Sequence, residues 1–177
     1  MYHLATCPII GYEFWDPLLS YMDDLNLSTP PMGESTDMFL ILGCLRDGEK
    51  WNAVGQATAG LLALAWRCLY AEITNSKIQD CPLNLERALR RTFQMTISRL
   101  RAYGLRWKRW SIKNSHTSLR WTIPEPYRDR GLIKQTFDGD FTLNKTLFRI
   151  AYSLRDATSQ DGAQTPEDLE HELQAIS

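Results

Sequence analysis

The chain has 177 residues, enough for one ordinary core, and a domain of this size buries about 70% of its unfolded surface without metal or disulfide staples. Hydrophobic residues make up 44% and charged residues 23%, and six tryptophans exclude a disordered chain. The net charge of −1 singles out no partner, and the longest apolar run, Leu61 to Trp66, is far short of the roughly 20 residues that cross a bilayer.

Taken in order, the N-terminus lacks the basic start and apolar core of a secretion signal, so a reducing compartment, cytoplasmic or nuclear, is expected. Asp16-Pro17 reads as an N-cap with proline at the first helical position, and Leu18, Leu19, Met22 and Leu25 recur at helical spacing. This predicts a helix from about Pro17 to Leu25, broken by a loop at Ser28 to Gly33. Thr36-Asp37 caps a short apolar segment, Met38 to Leu45, expected as a helix with a buried strand as its alternative, and Asp47-Gly48 offers a turn.

From Glu49 to about Asn75 the pattern is helical and apolar nearly all round, which marks a central helix. Asp80 to Asn84 punctuates the chain and supplies alternative N-caps for a helix from about Leu85 to Ile112. In that segment Leu85, Leu89, Phe93, Leu100, Tyr103 and Trp107 fall within about 40° of one line, and Arg87, Arg90, Arg91, Arg101, Lys108 and Arg109 fall opposite. Pro124 and Pro126 exclude regular helix from Ser111 to Arg130, leaving extended coil.

Asp138-Gly139 has the signature of a tight hairpin between Phe137 and Phe141, with Ile133 and Thr142 near its arms. A helix from about Leu143 to Asp156 follows, packing Leu147, Ile150 and Ala151. Ala157 to Gln164 reads as a polar linker and Thr165-Pro166-Glu167-Asp168 as the cap of a short acidic tail helix. The expectation is an all-α fold, an irregular or orthogonal bundle of five to six helices with at most one small β-hairpin. Residues 1–156 would form one domain and 157–177 a linker and tail.

Charge is unevenly placed. From Met1 to Lys50 eight acids face two bases, whereas from Asn84 to Trp121 ten bases face one acid, and no Lys or Arg follows Asp156. The basic helix face, with Trp107-Lys108-Arg109-Trp110 adding aromatic surface, suits phosphates and unpaired bases. Candidate nucleic-acid-binding residues are Arg87, Arg90, Arg91, Arg101, Lys108, Arg109 and Trp110, with RNA or single-stranded DNA as the ligand. The rival reading makes the same arginines a solvated helix face, or one covered by acidic segments or a protein partner, with no nucleic acid bound.

Catalytic signatures are weak. Tyr21-Met22-Asp23-Asp24 matches the aspartate motif of reverse transcriptases, whose carboxylates hold two metal ions. Too few residues precede it to supply the further carboxylate strand, and it falls in a predicted helix where the motif needs a hairpin. Asp138-Gly139-Asp140 is a fragment of a cation loop that turn formation explains better. The cysteines Cys7, Cys44, Cys68 and Cys81 have no paired-ligand spacing and read as buried thiols; a zinc set with His3 or His116 is conceivable only on paper. No catalytic residue, metal, cofactor, small-molecule substrate or membrane contact is expected.

Two stretches carry a resemblance: Leu64-Ala65-Trp66-Arg67-Cys68-Leu69-Tyr70-Ala71-Glu72, and Thr96-Ile97-Ser98-Arg99-Leu100-Arg101-Ala102-Tyr103-Gly104-Leu105-Arg106-Trp107-Lys108-Arg109-Trp110. They are similar to the C-terminal region of non-LTR (LINE-type) retrotransposon polyproteins, downstream of the reverse transcriptase domain, over roughly Phe14 to Asp156. The resemblance implies a remnant or fragment of a polyprotein that helps hold template RNA or target DNA, and it places no catalytic residue on this chain. A truncated reverse transcriptase fragment is the enzymatic alternative.

Overall fold

The computed structural model describes residues 2–30, 36–47, 50–113, 124–136 and 140–154, the side chains of 2, 51 and 110–113 apart. The fold is mostly helical, with two separate two-stranded antiparallel sheets. The order is α1 (Tyr2–Thr6), α2 (Pro8–Ile10), a π turn (Gly11–Trp15), α3 (Asp16–Asp24), α4 (Asp37–Leu42), β1 (Cys44–Asp47), β2 (Lys50–Ala53), α5 (Gln56–Gln79), α6 (Leu85–Lys113), α7 (Glu125–Asp129), β3 (Ile133–Gln135), β4 (Phe141–Leu143) and α8 (Lys145–Ser153).

Helix α3 spans Asp16–Asp24 with Pro17 in its first turn, close to the predicted Pro17–Leu25, but Asp16 makes no side-chain cap. The chain is already helical from Pro8, and the Asp16 N–H reaches back five residues to the Gly11 carbonyl. A proline inside a regular helix lacks its hydrogen bond and presses on the carbonyl four residues back. The widened turn just before Pro17 is where such strain is absorbed, as π bulges commonly do. It also turns Phe14 and Trp15 into the core, where they meet edge to face at 4.7 Å, and leaves Tyr12 outside.

Two boundaries depart from the sequence expectation. Gly43 adopts a left-handed conformation (φ 61°) that ends α4 at Leu42, and Cys44 pairs with Ala53 through Asp47 with Lys50 in a first hairpin. The central helix therefore starts at Gln56 instead of Glu49, and there is one hairpin more than predicted. Pro124 and Pro126 support a short helix, because both sit at its N-terminal end, where a missing N–H costs nothing. The predicted hairpin is present, with Ile133 opposite Leu143 and Gln135 opposite Phe141. The Asp47-Gly48 and Asp138-Gly139 turns and the predicted linker and tail helix lie outside the described residues.

The core joins the N-terminal run to α5, α6 and α8. Phe14, Trp15, Leu18, Met22, Phe39, Leu69, Leu89, Phe93, Leu100 and Ile133 are fully buried within it. Trp15 and Trp66 stack at a tilt, 4.7 Å apart, and each ring nitrogen donates to a backbone carbonyl, of Leu4 (3.0 Å) and Leu40 (2.6 Å). Buried indoles thus keep their polar edge satisfied. Arg130 donates to the Asn26 carbonyl at 3.0 Å, clasping the C-terminal hairpin unit to the loop after α3. Of the cysteines only Cys68 is buried; Cys7, Cys44 and Cys81 are half-exposed, contrary to the buried-thiol reading. No helix among the described residues is long and apolar enough to cross a membrane.

Candidate nucleic-acid interface

The basic helix begins where its cap is. α5 ends with Asp80 in the left-handed conformation (φ 49°), its turn closed by Cys81 N–H on the Ser76 carbonyl, so Asp80 caps nothing downstream. Asn84 does, its side-chain oxygen accepting the Arg87 N–H at 2.7 Å. From there α6 buries Leu85, Leu89, Phe93 and Leu100 of the predicted apolar line together with Ile97, leaves Tyr103 and Trp107 of that line partly buried, and runs antiparallel to α5. That direction follows from the pairing of Glu72 with Arg87, Cys68 with Met95, and Gly60 with Arg99. At Gly104 the helix meets the Phe141 ring so closely that any Cβ would overlap it.

The structure divides the seven predicted contact residues. Arg87 is tied to Glu72 of α5 by two hydrogen bonds, 2.9 and 2.5 Å, an arrangement that raises its pKa further through that bond and charge. Lys108 donates to Asp140 at 2.8 Å; that bond, with a second from the Phe141 N–H at 2.9 Å, holds the Asp140 carboxyl below the usual carboxylate range. Arg101 lies over the Phe148 ring of α8, 5.5 Å from its centre. Arg90 is half-buried. Arg91 and Arg109 are exposed, and Trp110 is on the helix with its side chain outside the described residues.

Other arginines belong with the exposed two. Arg67 of α5 and Arg91 of α6 are both close enough to the Cys68 thiol to act on it electrostatically. Burial nevertheless dominates there and pushes that thiol up. Arg106 is exposed one turn before Trp110, and Arg99 donates to the Tyr103 hydroxyl at 3.3 Å. Arg67 was legible as the charge that interrupts the apolar run of α5, but that Arg91 of α6 comes near the same thiol depends on how the two helices pair.

The tempting catalytic motif is helical. Tyr21 packs edge-on to Phe93 at 5.5 Å, Met22 is fully buried, and Asp23 accepts a hydrogen bond from the Thr29 hydroxyl at the end of α3. Asp140 serves its hairpin: its N–H donates to the Thr136 hydroxyl at 3.1 Å and its carboxylate to the contacts just described is the acceptor. Among the described residues no three of His, Cys, Asp and Glu gather as metal ligands. His3 is exposed; His116 and His171 lie outside the described residues. No protein-family model, curated protein or solved structure matches the chain.

Proposed function

We propose that this chain is a non-enzymatic interaction module that holds single-stranded nucleic acid, RNA first, along the outer surface of α6 and its seam with α5. The reading rests on one observation. Arg67, Arg91, Arg106 and Arg109 are exposed, and none is ion-paired to a carboxylate among the described residues. From Arg91 to Arg109 the helix rises about 27 Å at 1.5 Å per residue, room for several nucleotides. The resemblance to the region downstream of the polymerase in non-LTR retrotransposon polyproteins supports the same reading, as a segment that holds template or target strands.

Four phosphate contacts on a single strand give a slope of about −3 in log K against log salt, about 0.7 per phosphate. Fluorescence anisotropy with a labelled single-stranded RNA measures it. Replacing Arg91, Arg106 and Arg109 by Gln should flatten the slope by about 2 and weaken binding on every sequence alike. Replacing Arg87, whose guanidinium is held by Glu72, should leave the slope unchanged. Binding that ignores salt, or ignores the three substitutions, overturns the proposal.

A further inference from the structure

The end of the molecule opposite Arg109 has the reverse chemistry. Tyr12, pushed outward by the π turn, is 78% exposed, and Leu83 in the α5–α6 loop is 41% exposed. Two adjoining clefts lie here, one lined by Tyr12, Asp16 and Pro17 and the other by Pro82 and Leu83, and Glu13 and Glu86 line both. The surface is therefore one shallow notch of mixed character, in which the apolar faces of Tyr12, Pro17, Pro82 and Leu83 lie among the carboxylates of Glu13, Asp16 and Glu86. Arg87, the cation that lines it, has its guanidinium on Glu72, so the notch keeps its negative charge.

Apolar side chains set among acids suit an apolar side chain edged by bases. This chain carries such a segment. Leu105 on α6 is 50% exposed, with Arg101 and Arg109 one turn before and after it and Arg106 beside it. We infer that the notch receives the Leu105 face of a second copy, Leu105 entering between Tyr12 and Leu83 while Arg106 and Arg109 meet Glu13 and Glu86. One molecule cannot satisfy both halves itself, because Glu86 and Leu105 are about 28 Å apart along the same straight helix. The contact is consequently head to tail, and repeated copies extend as a ring or an open chain instead of stopping at a symmetric pair. The inference does not rest on nucleic-acid binding, although a bound strand would compete for Arg106 and Arg109.

Sedimentation equilibrium on the full chain tests it without any nucleic acid. The weight-average mass should climb from 20.4 kDa past the dimer as concentration rises, and fall back at high salt. A notch variant (Tyr12→Ser, Glu86→Gln) and a helix variant (Leu105→Ser, Arg109→Gln) should each associate at least about tenfold more weakly, since each loses a central anchor and a charge. Mixed in equal amounts, the two should form a species of twice the monomer mass and nothing larger, because one intact notch and one intact helix remain. These side chains are exposed, and unchanged far-UV circular dichroism checks that the variants fold; Glu13→Gln with Leu83→Ser gives a second notch variant. A wild-type chain that stays monomeric overturns the inference, even if a basic peptide binds the notch. So does a wild-type chain that stops at a dimer, association retained by either variant alone, or a mixture that does not pair.

Discussion

Arg87 and Glu72 are unequal partners, and their asymmetry can be measured. The Glu72 side chain is 3% exposed and the Arg87 side chain 41%. In Arg87→Met the buried carboxylate keeps only the Asn84 N–H, at a long 3.3 Å. Stranding a buried charge in this way costs about 3–5 kcal/mol. In Glu72→Met the guanidinium turns to water, so the loss is the charge-assisted hydrogen bonds alone, about 1.5–3 kcal/mol, partly offset by apolar packing. The double variant should recover most of the larger loss, because exchanging a buried pair for well-packed apolar groups is often neutral. With a urea m-value of about 2 kcal/mol per molar, Arg87→Met lowers the unfolding midpoint by about 1.5–2.5 M and the double variant by well under half of that. Equal costs for the two single variants, or a double variant as unstable as their sum, would refute the reasoning.

Gly104→Ala should destabilise by about 1–3 kcal/mol in chemical unfolding, since its Cβ overlaps the Phe141 ring, and Phe141→Leu should relieve part of the loss. Asp140 titrates below its ordinary 3.8, so its contribution is in place above that pH and is lost as pH falls through the lower, folded value. An acid-unfolding curve of Asp140→Asn should lack that component. Cys68 is shifted the other way by burial, above its ordinary 9.0, so its contribution is present below that pH and disappears as pH rises beyond it. At neutral pH alkylation followed by mass spectrometry should label Cys7, Cys44 and Cys81 well before Cys68. In primer extension with magnesium or manganese, the chain and its Asp23→Asn variant should both match the blank, because the helical Tyr21–Asp24 segment lacks the hairpin that presents such carboxylates to metal.

Helix α6 was legible almost to the residue, as Leu85–Ile112 against Leu85–Lys113, because a long amphipathic repeat and the Asn84 cap agree. The second hairpin was expected around Phe137–Phe141 with Ile133 and Thr142 near its arms, and the pairing runs from Ile133 with Leu143 to Gln135 with Phe141. Prolines were only partly legible. Pro17 does sit in the first turn of α3, but a widened turn precedes it instead of a side-chain cap, and Pro124 and Pro126, expected to exclude helix, stand at the start of one. The β1–β2 hairpin was hidden for another reason. Its strands are four residues each, too short for alternation to outweigh the apolar pattern of α5 that follows.

Which arginines remain available was not a property of one helix. A wheel drawn on α6 places Arg87, Arg101, Lys108 and Arg109 together, and nothing local separates them. Glu72 lies 15 residues before Arg87 and Asp140 lies 32 residues after Lys108, so their claims exist only once α5 and the second hairpin are docked. Docking also brings Arg91 of α6 near Cys68, the chain neighbour of the exposed Arg67 on α5. The cationic surface is thus an assembled feature, differing from the line the sequence suggests. A consequence is that loosening the α6 pairing at Glu72 should free Arg87 and strengthen salt-dependent RNA binding, whereas a purely local ridge would respond to no change in α5. Anisotropy on Glu72→Met distinguishes the two: a steeper salt slope supports assembly by packing, and an unchanged slope supports a ridge set by α6 alone.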